Sequence, residues 1–201
     1  IIVIFQVLFP QQTVMAPVTN IEEEVSPATS IDENEIVKNK TIKNKEEIIS
    51  INQRINIDTP SLKGSINLKG AILDDLVLKN YKESLDENSK NISLFLPDGT
   101  KNPYYVEFGW KSLLNEDLSI ILPDLDTEWK SNDSFLGPNN PVTLFWKNNQ
   151  NITFKIRFEI DNHYMFNVSQ IIENKSLKDI EVFPYRLIKR INQPDTINFF
   201  I

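Results

Sequence analysis

The sequence contains no cysteine, and this absence removes several kinds of chemistry at once. Without thiols there is no disulfide scaffold, no iron–sulfur cluster, no thiolate zinc site and no cysteine nucleophile. Glycine is scarce, with 5 residues among 201. Neither a glycine-rich phosphate loop nor a GxSxG nucleophile elbow occurs. The composition therefore leaves few routes to catalysis, and we expect neither an enzyme nor a cofactor.

Basic residues are fewer than acidic residues. Lysine and arginine number 21 against 28 aspartates and glutamates, which gives a net charge of −7. An acidic chain argues against nucleic acid as a partner. The excess of acidic side chains is concentrated in the N-terminal region, where residues 1–52 carry 4 basic and 8 acidic side chains.

The first 53 residues predict two segments outside the folded body. Residues 1–10, IIVIFQVLFP, are apolar, but ten helical residues cover about 15 Å, roughly half of a bilayer core. We expect them to be the C-terminal part of an N-terminal membrane anchor; the alternative is a small buried strand. Residues 11–53 are polar and lack aromatic side chains, which predicts a disordered linker with a transient helix around 42–51.

From residue 54 onward the pattern is that of β-strands. Residues 152–160, ITFKIRFEI, alternate apolar and polar side chains without a break, which indicates a strand with one buried face. Shorter alternating or apolar runs occur in SINLKG, AILDDLVLKNY, NISLFLPDGT, YYVEFGW and PVTLFW. No helical period is sustained after residue 52, so we predict an all-β body, a two-sheet antiparallel sandwich.

His163 is the only histidine in the chain, and Asp161 precedes it by two positions. A catalytic or metal-binding pair would need further imidazole or carboxylate ligands nearby. Strands are predicted over 152–160 and 164–172, which makes residues 161–163 a hairpin connection, a place where Asp and Asn are common. We interpret the histidine as part of a turn.

Three pairs of carboxylates lie close together in the sequence. Asp74–Asp75 and Glu116–Asp117 are adjacent in sequence, and neighbouring strand residues point to opposite faces. Asp124 and Asp126 could share a face, but Pro123 favours an exposed loop there. None of the three pairs predicts catalysis.

The remaining candidate residues are cationic or aromatic. In YRLIKRI, a strand would place Arg186 and Arg190 on one face and Lys189 on the other. This cluster is either a charged edge that discourages strand addition or a docking patch for an acidic partner. The candidates for stacking against a sugar are Trp110, Trp129 and Trp146, although a tryptophan in a strand is more often part of the core.

The order of these motifs resembles one known family. IDTPSLKGSINLKGAILDDLVLKNYKES, then PVTLFWKNNQNITFKIRFEIDNHYMFNVSQIIENKS, then PYRLIKR are similar to the large periplasmic domain of the YidC membrane protein insertases, in particular those of alphaproteobacteria. The resemblance covers residues 54–201. It implies a β-supersandwich, an extended two-sheet fold related to mutarotase-like domains, cut short at its C-terminus.

The resemblance also implies a location and partners. The domain would face the periplasm from the bacterial inner membrane, as a non-catalytic scaffold or docking module that works with the Sec translocon, including SecD and SecF. Contact with nascent membrane proteins would belong to an insertase module absent from this sequence. The alternative is a carbohydrate-binding or mutarotase-like sandwich; an adhesin-type sandwich fits an anchor and acidic tether poorly.

Overall fold

The computed structural model describes residues 42–112 and 120–192, which form a short helix and eleven strands. In chain order the elements are α1 (Lys45–Ile49), β1 (Arg54–Asp58), β2 (Leu62–Asn67), β3 (Ile72–Lys82), β4 (Asn91–Phe95), β5 (Tyr104–Lys111), β6 (Lys130–Ser131), β7 (Phe135–Leu136), β8 (Val142–Lys147), β9 (Ile152–Ile160), β10 (Phe166–Asn174) and β11 (Phe183–Arg190). The anchor predicted at 1–10, the linker up to residue 41, Glu116–Asp117 and the C-terminal residues 193–201 lie outside the described residues.

The strands form two sheets. The larger has the order β11-β5-β3-β2-β1-β7, with β4 also paired to β3, and the smaller has the order β10-β9-β8-β6. Among the described strands, β1 and β7 pair in parallel, while the other pairs are antiparallel. The all-β prediction is confirmed, with this one short parallel pair as a local exception.

The core lies between the two sheets, and β9 supplies its centre. Every second residue of β9 is buried, in the same alternation that the sequence shows. Aromatic rings meet across the interface: Phe108 of β5 is edge-on to Phe158 of β9 with centroids 5.4 Å apart. Trp110 of β5 meets Phe154 in the same manner at 5.1 Å. These contacts confirm the predicted two-sheet sandwich.

The connection between β9 and β10 is longer than predicted. Strand pairing resumes at Phe166 opposite Ile160, so the connection spans residues 161–165 instead of 161–163. The Asp161 carboxylate causes this difference, because it accepts hydrogen bonds from the backbone N–H groups of His163 (2.8 Å) and Met165 (3.0 Å). An aspartate that binds backbone donors in this way stabilises a turn and delays the start of the strand.

The last residues of the predicted linker are in contact with the sandwich. α1 lies within the predicted 42–51 helix, and Asn44 caps it by accepting from the Lys45 N–H. The Lys43 N–H donates to the Gly99 carbonyl (3.0 Å), and Gln53 accepts from the Leu68 N–H (2.9 Å). Residues 42–53 therefore pack with the sandwich, next to the strands that follow them.

A β-bulge interrupts the pairing of β2 with β3. Ser65 lies opposite Asp75, but the next residue of β2, Ile66, lies opposite Leu73. Asp74 is thus the extra residue on β3, and a bulge of this kind bends the strand and changes the direction of its side chains. As a result, Asp74 and Asp75 are both buried.

Candidate functional site

The aspartate–histidine turn has the geometry of a turn and not of a reactive pair. His163 is 81% exposed, and its Nδ1 lies 3.9 Å from the Asp161 carboxylate. Hydrogen bonds from the backbone N–H groups of Met165 and His163 keep the pKa of Asp161 below its ordinary value. The carboxylate is therefore engaged with the backbone, which agrees with the hairpin interpretation of this segment.

The predicted cationic cluster lies on β11, an edge strand of the larger sheet. β11 pairs with β5 along its whole length, from Phe183 opposite Lys111 to Arg190 opposite Tyr104. The alternation places Arg186 and Arg190 on one face and Lys189 on the other, as the sequence indicates. All three cations are exposed.

The three cations differ in what they contact. Arg186 reaches across to the other sheet, where its Nη2 donates to the Val168 carbonyl (2.8 Å) and its Nε donates to the Gln170 amide oxygen (3.3 Å). Gln170 in turn donates to the Gly109 carbonyl (2.8 Å). Arg186 thus joins the open edges of the two sheets, and this structural role separates it from Lys189 and Arg190.

Lys189 and Arg190 each lie over a tyrosine ring of β5. The Lys189 ammonium is 5.8 Å from the centre of the Tyr105 ring, and the Arg190 guanidinium is 4.8 Å from that of Tyr104. The neighbouring Tyr105 side chain raises the pKa of Lys189 above its ordinary value. The arrangement leaves two positive groups held in place at an accessible edge.

Apolar side chains accompany these cations. Leu187 and Ile188 are 45% and 64% exposed, and Phe183 at the start of the strand is exposed as well. Leu187 shares a face of the strand with Lys189, and Ile188 shares the other face with Arg190, so each face presents an exposed apolar group beside a cation, a combination found at protein interfaces. We call the exposed side chains of Phe183–Arg190 the β11 surface.

Two of the tryptophans are not available for ligand stacking. Trp110 and Trp129 are each 4% exposed, and their rings stack on one another at 6.2 Å within the core. Trp146 is half-buried and packs against Phe154 at 5.9 Å. The aromatic residues proposed for sugar binding are therefore part of the packing between the sheets, which weakens the carbohydrate-binding alternative.

A cleft of about 360 Å³ lies at one end of the sandwich. It is formed by the turn before β9 and the loop after β10, and its lining includes Asn151, Lys175, Leu177 and Ile180. Backbone contacts close the cleft on one side, where the Lys175 N–H donates to the Asn151 carbonyl (3.1 Å). Its lining is mixed, and it brings together neither paired carboxylates nor an imidazole.

Sequence reasoning missed a buried charge network around the bulge. Arg54 donates from Nε to the Ser65 hydroxyl (2.7 Å) and from Nη2 to the Asp74 carboxylate. The Ser65 hydroxyl donates to Asp75 (2.7 Å), and the Lys45 ammonium lies 2.5 Å from the other oxygen of Asp75. The signal was the LDDL segment, in which two adjacent aspartates interrupt an apolar strand.

Burial affects two groups of the network, the Asp74 carboxyl and one guanidinium nitrogen of Arg54. Burial raises the pKa of Asp74, although the neighbouring Arg54 opposes this shift. Within the described part of the chain, Arg54 Nη1 is buried without a hydrogen-bond partner. The carboxylates of the network are buried and paired with cations of the fold, so we regard it as structural.

Metal sites and membrane spans concern residues 42–112 and 120–192, the part of the chain that the structure describes. No group of three or more His, Cys, Asp or Glu side chains in these ranges could hold a metal ion. No helix in them is both long and apolar enough to cross a membrane. The accessible feature with a definite chemistry in this part of the chain is the β11 surface.

The fold and this surface define an antiparallel two-sheet sandwich domain with a cationic, partly apolar edge strand. A sequence profile of the YidC periplasmic domain matches residues 54–201. The chain belongs to the YidC periplasmic domain family.

Individual relatives agree with this assignment. The membrane protein insertase YidC of Methylorubrum extorquens is 41% identical over 157 residues, which is 78% of this chain and 25% of the relative. That of Rickettsia canadensis is 45% identical over 138 residues, covering 69% of this chain and 24% of the relative. That of Granulibacter bethesdensis is 40% identical over 148 residues, covering 74% and 25%. The chain thus spans about a quarter of the length of these relatives.

Proposed function

We propose that this chain is the periplasmic part of a bacterial inner-membrane protein insertase and that it acts as a non-catalytic scaffold. The family match over residues 54–201 carries this proposal. The buried position of the charge network and the turn geometry of His163 support a role in binding rather than in catalysis. Insertion of nascent membrane proteins would belong to other parts of the longer protein.

The β11 surface is the proposed docking site for the Sec translocon, in particular for SecD and SecF. A partner that covers this edge would meet Lys189 with Leu187 on one face of the strand and Arg190 with Ile188 on the other, so acidic groups of the partner would face each cation and apolar groups would face Leu187 and Ile188. Charged groups at the rim of an interface mainly govern the rate of association and its specificity. Arg186 would contribute indirectly, because it holds β11 against the other sheet.

Co-purification from membranes tests this docking site. The full-length protein that carries this chain would be expressed with tagged SecD and SecF, and the recovered amount would be compared between variants. We expect the double variant Lys189→Glu, Arg190→Glu to reduce recovery about fivefold or more, because it replaces attraction with repulsion.

A matched control keeps the change in charge but moves it away from β11. Lys63 on β2 and Lys82 on β3 are both exposed, and the variant Lys63→Glu, Lys82→Glu should leave recovery unchanged. Equal recovery from the β11 variant and the wild type, with both proteins folded, would contradict docking through β11. Arg186→Glu needs its own measurement of thermal stability, because it also removes the hydrogen bonds to β10.

A further inference from the structure

The helix α1 cannot be stable through its own residues. It has five residues, none of which is buried, whereas isolated helices shorter than about 12 residues are marginal in water. Its backbone hydrogen bonds are long, at 3.3 Å for Ile48 N–H to the Asn44 carbonyl and for Ser50 N–H to the Glu46 carbonyl. Contacts with the sandwich must therefore hold this segment in place.

Two of these contacts involve the turn that follows β4. The Lys43 N–H donates to the Gly99 carbonyl (3.0 Å). Ile48 lies on the same turn, because a methyl group added to Gly99 would lie 3.3 Å from the Ile48 Cδ1. Gly99 has a φ of +94°, a conformation that side chains other than glycine rarely adopt. A residue other than glycine would therefore strain this turn and crowd Ile48.

The third contact connects α1 to the buried charge network. The Lys45 ammonium is 2.5 Å from Asp75, and the two side chains are only 18% and 9% exposed. An ion pair with so little exposure is screened weakly by salt, and removal of one partner leaves the other charge buried and unpaired.

The contact between Lys45 and Asp75 also balances the charge of the network. The network contains two carboxylates, Asp74 and Asp75, but the strands themselves supply one cation, Arg54. Lys45 supplies the second, and it comes from outside the family match, which begins at residue 54. A buried charge without a partner is strongly unfavourable. The sheet therefore gains a neutral network only when residues 43–50 are bound to it.

We infer that Lys45 fastens the segment that precedes the sandwich to β3, so that the chain enters the domain from a fixed point beside the Gly99 turn. Residues 43–53 then behave as part of the folded body and are not available as free linker. This role is a property of the fold itself and does not depend on what the β11 surface binds.

Amide hydrogen exchange on the full chain tests the inference. Exchange would be followed at Lys43, Ile48 and Ser50, whose N–H groups are hydrogen-bonded here, with Phe154 and Ile156 of β9 as references for global stability. We expect Lys45→Gln to accelerate exchange at the first three amides about tenfold, because a lost, partly buried ion pair favours local opening. The β9 amides exchange through global unfolding, which also breaks this ion pair, so their exchange should accelerate by the same factor or less.

Lys43→Gln is the matched control. The Lys43 side chain is exposed and its contact with Gly99 is made by the backbone, so this variant should exchange like the wild type. Two results would overturn the inference: unchanged exchange at residues 43–50 in Lys45→Gln, or a larger acceleration at β9 than at residues 43–50. The first would show that the ion pair does not hold the segment, and the second that Lys45 acts on the whole fold.

Discussion

The strands β9 and β3 both cross the middle of their sheets, yet they are held in different ways. β9 buries five apolar side chains on one face and leaves Thr, Lys, Arg and Glu half-buried on the other. β3 also has consecutive buried positions, but two of them are aspartates. The inner face of β9 is stabilised by the removal of apolar surface from water. β3 is stabilised in addition by the pairing of charges that are buried away from water.

This difference leads to different responses to pH and to substitution. Apolar burial involves no proton, so its contribution to the free energy of unfolding should be insensitive to pH. The contribution of the β3 network must change when Asp74 gains or loses its proton. The two strands also differ in where their partners come from. The partners of β9 belong to the sandwich itself, while the β3 network includes Lys45 from α1.

The largest expected effect is the loss of an apolar ring from β9. Phe158 is fully buried and meets Phe108 across the two sheets. Phe158→Ala should lower the free energy of unfolding by about 3–5 kcal/mol, since it removes apolar contacts and leaves a cavity. Urea denaturation at several pH values would measure this loss, which should be the same at each pH. A loss that varies with pH would contradict the description of β9 as a purely apolar region.

Removal of the central cation of the network should have the next largest effect. Arg54→Met leaves the buried Asp74 without its partner, and we expect a loss of about 3 kcal/mol at neutral pH. Burial already raises the pKa of Asp74 in the folded protein, and without Arg54 it should rise further. A raised folded pKa means that folding favours the protonated acid, so stability is gained as the pH falls and lost as it rises through that pKa.

The pH dependence separates this variant from Phe158→Ala. The destabilisation caused by Arg54→Met should shrink as the pH is lowered from neutral towards the acid range, as measured by urea denaturation against the wild type. If both variants lose the same free energy at every pH, Asp74 does not carry the charge that Arg54 compensates.

Removal of the whole pair should cost much less than removal of one member. The double variant Arg54→Met, Asp74→Asn takes away both buried charges, and replacement of a buried ion pair by neutral groups is often close to neutral. Because Arg54 Nη1 is already buried without a partner among the described residues, we expect a change within about 1 kcal/mol. A double variant as unstable as Arg54→Met would show that shape, rather than charge, dominates this region.

The smallest effect is expected on the exposed face of β9. Lys155 pairs with Glu173 of β10, and both side chains are accessible to water. Lys155→Met should change the free energy of unfolding by less than about 0.5 kcal/mol, because exposed ion pairs are screened and held loosely. Thermal denaturation would measure the change. A larger loss would mean that this face of β9 is stabilised by charge pairing, as the β3 network is.

The same two strands show how much of the fold could be predicted from sequence. The alternation over residues 152–160 determines both the bounds of β9 and its buried face, because a strand that buries one face must repeat every two residues. The alternation rule fails on β3, where the bulge at Asp74 changes the direction of its side chains. A bulge depends on the partner strand as well as on the strand itself, so single-strand periodicity does not predict it.

Other features depend on contacts that are remote in sequence. β6 and β7 have two residues each, and their strand character comes from pairing with β8 and β1. The cationic cluster at 186–190 was predicted, and its edge position and alternation agree with the structure. The sequence does not predict that Arg186 bonds to β10 while Lys189 and Arg190 remain available. This difference depends on where the second sheet lies. Docking by this cluster remains a prediction.

The pairing of β5 with β11 has a consequence for the order in which the chain can fold. One side of β5 contacts β3, which precedes it in the chain, so this contact can form early. The other side contacts β11, and all four strands of the smaller sheet are synthesised between the two. Pairings between distant segments form slowly, because a long loop must close first. During synthesis, the hydrogen-bonding groups on this side of β5 therefore stay unpaired until the smaller sheet has emerged, and in this interval the nascent domain is most exposed to mispairing with other chains.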